Sequence, residues 1–257
     1  RQLGGQTSEN EKLMGATLCS WPDRAVNHEQ DIFHQNAVYP ALLTFAERSW
    51  CGGGDFEWRS NIKTDREGLA EFTAFEERLI QHKHLYFRDL IFPYYQQSKQ
   101  KWVLYGPLQN KGNLSMSLKE EAKGNFTSLK KIGEFYGGTI VLRHWWSDVV
   151  KGAIDDPAEN STLYAVSRIW SDVHGNKEFW IGFNDLSRSY ASDSPNLGTW
   201  DDRMSRLWVN EHEVLPPDWQ HAGQKGDLEI PLIDEGYSYR SPAIVKLRKG
   251  WNTIAVK

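Results

Sequence analysis

Two stretches near the end of the chain decide how its larger part is read: RLWVN at residues 206–210 and LRKGWNTIAVK at residues 247–257. Both carry the β-branched and aromatic residues of strands with one face buried. Gly250 and Asn252 suit a tight connection between two such runs, which predicts a closing hairpin. Working upstream, period two returns at residues 102–105, 138–145, 162–171 and 178–183. Turn signals separate these runs, His174-Gly175-Asn176 and Lys249-Gly250 among them. Many short strands punctuated by Gly and Asn predict an antiparallel β-sandwich over residues 101–257. Residues 187–198 read as a long loop.

Before residue 101 the period changes. Thr64 and Glu67 have the spacing of a capping box, and Phe72, Phe75, Leu79 and Tyr86 fall on one helical stripe. A helix is predicted from Thr64, ending near residues 87–91 before Pro93, with its solvated positions among Glu71, Glu76, Glu77 and Lys83. Further upstream, GATLCS at residues 15–20 reads as a short buried strand. Pro40 suits the first position of a second helix, residues 41–50 continue it, and Gly52, Gly53 and Gly54 end it. This strand–helix unit is too small to bury its own faces and is expected to be the tail of something larger. The expected organisation is residues 1–51, a helical connector over 52–100, and the β-sandwich over 101–257.

Composition narrows the function classes. A net charge of −4 over 257 residues offers no basic footprint for nucleic acid or an anionic membrane. No apolar run approaches the roughly 20 residues that span a bilayer. Cys19 and Cys51 are expected at opposite ends of the strand–helix unit, as free thiols without zinc-site spacing. The chain holds 12 Trp, 10 Tyr and 11 Phe, and flat sugar C–H faces stack on such rings. Composition alone assigns most of these tryptophans to a sandwich core. His144-Trp145-Trp146 would offer a sugar platform, but neighbours on a strand face opposite ways, so one of those rings is expected in the core. Asn113, Asn125 and Asn160 head N-x-S/T triplets, acceptor sites on a eukaryotic secretory path.

Residues 15–50, GATLCSWPDRAVNHEQDIFHQNAVYPALLTFAERSW, resemble the end of the catalytic barrel in the family 20 β-N-acetylhexosaminidases. Those enzymes close a (β/α)8 barrel with a strand ending in Trp-x-Glu and a helix ending in Ala-Glu-Arg-x-Trp. The counterparts here are Trp21-Pro22-Asp23 and Ala46-Glu47-Arg48-Ser49-Trp50. Read as residues alone, Trp21 is a packing residue at a strand end and Asp23-Arg24 a solvated turn pair. The resemblance implies instead that Trp21 walls the pocket of the terminal N-acetyl sugar and that Asp23 accepts its hydroxyl hydrogens. Asp23 stands where the family has Glu, one methylene shorter. Barrel enzymes build their sites at these strand ends. Glu47 and Arg48, at the far end of the helix, read as a structural ion pair.

The stretches at 206–210 and 247–257 are similar to the ends of galactose-binding-like jelly rolls. Together the two resemblances imply a mostly β chain with an α-helical N-terminal part: the last strand–helix unit of a (β/α)8 barrel, a linking helix, then an antiparallel jelly-roll β-sandwich. They imply a glycoside hydrolase releasing terminal β-linked N-acetylhexosamine, in which the sugar's own acetamido oxygen attacks. The Asp-Glu pair that assists lies on an earlier barrel strand and has no counterpart here, so no catalytic residue, metal or cofactor is expected in this chain. Asp55 with Glu57, and Asp234 with Glu235, read as solvated carboxylates. No H-E-x-x-H, phosphate loop or G-x-S-x-G elbow occurs. The implied partners are an N-acetylhexosamine-containing glycan and the N-terminal barrel of the parent chain, with no nucleic acid and no membrane span. The enzyme class implies a secreted, periplasmic or cell-surface location. The alternative is a non-catalytic module that binds carbohydrate or braces a neighbouring domain.

Overall fold

The computed structural model describes residues 15–19, 26–28, 38–52, 58–90, 92, 94–184, 193–227, 229–230 and 232–257. Among them the chain is mostly β, with two α-helices and an antiparallel sheet. The helices are α1, Val38–Cys51, and α2, Arg66–Leu85. Eight strands follow: β1 Lys101–Gln109, β2 Lys131–Tyr136, β3 Ser161–Ser171, β4 Gly175–Phe179, β5 Leu207–Val209, β6 His212–Val214, β7 Ala243–Leu247 and β8 Gly250–Val256. Six form a sheet in the order β2-β1-β3-β8-β5-β6, and β4 pairs with β7 in a second sheet.

The main core lies where the two sheets meet. Leu207, Val209 and Ile254 of the large sheet pack with Val245 and Leu247 of β7. Trp102, Ile169 and Phe179 lean on them. Each such aliphatic side chain contributes about 1.5–3 kcal/mol by leaving water. The opposite face of the large sheet is covered at one end. There Phe126 stacks on Tyr164 at 4.4 Å, and both are buried. Gly124, at φ +62°, lets that covering loop approach, since a Cβ on it would meet Thr253 Cγ2 at 3.1 Å. Buried Glu121 accepts hydrogen bonds from the Tyr164 hydroxyl at 3.1 Å and from Arg206 Nη1 at 3.2 Å.

Two expectations about strands are corrected. Residues 247–257 do not close a hairpin, because β7 and β8 lie in different sheets. Their two-residue connection is an arch from one sheet to the other, with Gly250 at φ +98°. The β3–β4 connection is a second arch beside it, as the pairs Ser171–Gly250 and Gly175–Leu247 require. Residues 138–145 were expected as a strand and instead run as bends and irregular backbone into a turn at Trp145. The Val141 backbone N–H and C=O meet the side-chain amide of Asn61, both at 2.9 Å, which supplies what a strand partner would. The free edge of β1 is taken by β2, Lys131–Tyr136.

The helices differ in detail from their sequence signals. α2 starts one residue later than the box implies. Asp65 is its N-cap, and Asp65 Oδ1 accepts from the Gly68 N–H at 2.9 Å, a bond that holds the Asp65 carboxyl below its usual range. Leu79 is buried and Phe72 and Phe75 are half-buried, but Tyr86 is exposed and Glu76, expected in solvent, is wholly buried. Its carboxylate accepts from the Tyr94 hydroxyl at 2.7 Å, the Ser98 N–H at 3.1 Å, the Gln97 N–H and the Ser98 hydroxyl. α2 is thereby pinned to the short turn, Gln97–Lys99, that leads into β1. α1 ends as predicted, with Gly52 at φ +63° and its N–H bonded to Arg48 O at 3.1 Å. Glu47 pairs not with Arg48 but with Arg78 of α2, through bonds of 2.5 and 3.2 Å.

Residues 15–19, expected within a buried strand, are exposed and carry no strand pairing. A single extended segment leaves its N–H and C=O groups open unless a neighbour supplies a ladder. Cys19 and Cys51 are both free and exposed. No helix among the described residues is long and apolar enough to cross a membrane.

One exposed cluster sets a pH expectation. Glu134 on β2 lies 2.6 Å from Lys101 Nζ and 2.7 Å from Lys131 Nζ. The two ammonium groups hold its carboxyl at about 2, against an ordinary 4.5. The folded value is the lower one, so this cluster stabilises the chain above the ordinary carboxylate range. That contribution fades as pH falls from about 4.5 through about 2. Side-chain carbonyl NMR through an acid titration should find Glu134 still ionised at pH 3.5; a midpoint at its ordinary value would contradict the bridge.

Candidate functional site

The two residues that the hexosaminidase resemblance places at a sugar pocket, Trp21 and Asp23, lie outside the described residues, as do Asp55 and Glu57. The second acidic pair is described: Asp234 is buried and Glu235 half-buried. Asp234 accepts from the Gly236 N–H at 2.7 Å. Glu235 accepts from Ser194 Oγ at 2.9 Å, the His221 N–H at 3.2 Å and the Gln220 N–H. Both carboxylates therefore close loops, using lone pairs that surface acids spend on water.

The tryptophans part company with the compositional reading. Trp50, Trp58, Trp145, Trp146, Trp170, Trp180 and Trp251 are exposed, while Trp200, Trp208 and Trp219 are buried. The buried ones behave as core. Trp200 Nε1 donates to Val214 O at 3.2 Å and Trp219 Nε1 to Thr199 O at 2.7 Å, which satisfies their polar edges. Arg240 stands between those two rings, 5.7 and 5.4 Å from their centroids, and burial lowers the pKa of its guanidinium. Trp145 and Trp146 stack at 6.0 Å and 16°, with Trp58 6.3 Å from Trp146. Neither Trp145 nor Trp146 is core, because the segment is a turn, and strand alternation does not apply.

A second exposed pair, Trp170 with Trp251, stands on regular strands. They are direct cross-strand partners on β3 and β8. Their ring centroids are 5.5 Å apart and the planes cross at 78°, so one ring stands edge-on to the other. They lie on the side of the large sheet away from the shared core, beyond the end covered by the loop carrying Phe126. Each ring is fixed by a charged neighbour. Trp170 Nε1 donates to Asp172 Oδ1 at 2.7 Å. The Arg168 guanidinium lies 5.0 Å from the Trp251 ring centroid. Thr253 is paired with Arg168 across the same two strands. Arg248 Nε, in the arch leading into β8, donates to Trp251 O at 3.3 Å.

This arrangement can hold a ligand but offers no nucleophile or acid–base pair. Part of it was readable: alternation along β3 puts Arg168 and Trp170 on one face, while Asp172, in the bend after the strand, reaches back to Trp170. The sequence does not show that Trp251 stands opposite, because that depends on register. Among the described residues, no group of three or more His, Cys, Asp or Glu side chains could hold a metal ion. No protein-family model, curated protein or solved structure matches the chain.

Proposed function

We propose that this chain is the C-terminal region of a glycoside hydrolase that releases terminal β-linked N-acetylhexosamine by substrate-assisted, retaining hydrolysis. In this reading α1 is the last helix of a (β/α)8 barrel, and residues 101–257 form a galactose-binding-like jelly roll that braces it. Trp21 and Asp23 complete the sugar pocket, while the catalytic carboxylates come from the barrel. Such an enzyme acts in a secreted, periplasmic or cell-surface setting.

The observation that carries the reading is α1 itself. It holds the Ala-Glu-Arg-x-Trp pattern, yet it leaves Leu42 and Trp50 in solvent, Trp50 at 91% exposure. A helix with an uncovered apolar face calls for a partner, and neighbouring barrel elements would supply one. Bracing is favoured by the chain of attachments behind it. Arg78 ties α1 to α2, and Glu76 locks α2 to the start of β1.

The test compares this chain with the full-length gene product on an aryl N-acetyl-β-glucosaminide. The full-length protein should turn over, this chain alone should not, and Trp21→Ala in the full-length protein should lower kcat/KM about tenfold or more, the effect of losing about 1.4 kcal/mol of ring contact. Turnover by this chain alone, or an inert full-length protein, would overturn the proposal.

A further inference from the structure

We propose that the Trp170–Trp251 platform is a binding site for an acidic glycan, one whose sugars carry carboxylates. A sugar ring needs an aromatic surface for its C–H face and polar groups around the rim for its hydroxyls. Trp170 and Trp251 are 55% and 51% exposed, and their crossed planes make a floor and a wall rather than a flat patch. Both rings are held in place before any ligand arrives, Trp170 by Asp172 and Trp251 by Arg168, so little side-chain freedom is lost on binding.

Charge selects the acidic class. The Arg168 guanidinium stacks on Trp251 but makes no ion pair or hydrogen bond to any described residue, so its donors are open to a ligand carboxylate. Arg248 and Lys249 occupy the adjoining arch, both exposed and without a carboxylate partner among the described residues. Against these three cations stands the Asp172 carboxylate, already engaged by Trp170 Nε1. The rim is thus locally positive on a chain whose net charge is −4. An anionic lipid surface would also meet cations and tryptophans. It fits less well, because Asp172 would be pressed against the headgroups and the rings lie on a sheet face rather than at a projecting loop tip.

The inference stands apart from the hydrolase reading, since it needs only residues of β3, β8 and their arches. Calorimetric titration of this chain with a hexasaccharide alternating glucuronate and N-acetylglucosamine should show saturable binding. Uncharged chitohexaose should bind about tenfold more weakly, a difference of about 1.4 kcal/mol. Trp170→Ala and Trp251→Ala should each weaken the acidic sugar about tenfold or more. Arg168→Gln should remove the preference for the charged sugar and flatten its salt dependence. Unchanged circular dichroism and melting would show that these variants fold. The proposal is overturned by absence of saturable binding, by equal binding of the two sugars, by affinity indifferent to both tryptophans, or by binding to phosphatidylserine vesicles alone.

Discussion

Glu76→Ala is expected to lower the stability of the folded chain by about 3–5 kcal/mol, the range for leaving the partners of a buried charge unanswered. Glu76 is wholly buried in the middle of α2. Its two oxygens answer the Tyr94 hydroxyl, two backbone N–H groups and the Ser98 hydroxyl. Alanine would leave those donors facing a void that excludes water. Burial, together with the same carboxylate, drives the Tyr94 phenol far above its ordinary pKa, as expected of a phenol that keeps its proton to donate it. Tyr94→Phe removes one donor and leaves the acceptor three others, so it should cost only about 1 kcal/mol. Glu76→Gln should fall between, since its NH2 group would confront donors. Urea unfolding would measure all three, and hydrogen exchange would show whether α2 loses protection first. An alanine variant as stable as the parent would mean that α2 is held by Leu79 and the half-buried phenylalanines alone.

Glu76 also shows where sequence reading stops. Its position was legible: it lies four residues after Phe72 and three before Leu79, on the stripe that packs inward. Its charge argued the other way, and only the turn at residues 94–98 resolves the conflict. The strands divide similarly. β3 and β8 alternate where only one face is buried, around Arg168–Trp170 and Trp251–Asn252, and lose the alternation at Tyr164–Ala165 and Ile254–Ala255, where the loop carrying Phe126 covers the other face. Residues 138–145 have the composition of a strand, but β1 has one free edge and β2 occupies it. Period fixes which way a side chain points, whereas the choice of partner depends on competition between segments far apart in the chain. The candidate platform inherits that split. Arg168 and Trp170 share a face by simple alternation, Asp172 reaches them from the bend after β3, and Trp251 joins them only through the register of β3 with β8.

Asn252→Ala should be comparably damaging, by about 3–5 kcal/mol, because it removes the buried side chain that makes four hydrogen bonds at the arch between the sheets. Asn252 is wholly buried. Its Oδ1 accepts from the Arg248 N–H at 2.9 Å and from Asn210 Nδ2 at 2.6 Å. Its Nδ2 donates to Arg248 O and Gly250 O, both at 2.9 Å. Asn210 in turn opens the tight β5–β6 turn, with φ of 50° there and 73° at Glu211, the left-handed pair that such hairpins use. One amide therefore joins the β7–β8 arch to the β5–β6 hairpin. Leucine at residue 252 would fill the space without replacing any bond and should fare no better. Asn252→Asp is the more telling variant. A carboxylate cannot donate to the two carbonyls it would face, so burial would raise its folded pKa above the unfolded value. The sign follows: the variant should lie nearest the parent in acid and lose stability as pH rises through the ordinary aspartate range, whereas Asn252→Ala should show no such slope of its own. Denaturant midpoints of the three proteins across that range would separate the cases. If Asn252→Ala melted within about 1 kcal/mol of the parent, the arch would be held by Leu247 and Ile254 in the core, and the placement of Trp251 on its outer face would owe nothing to the amide beside it.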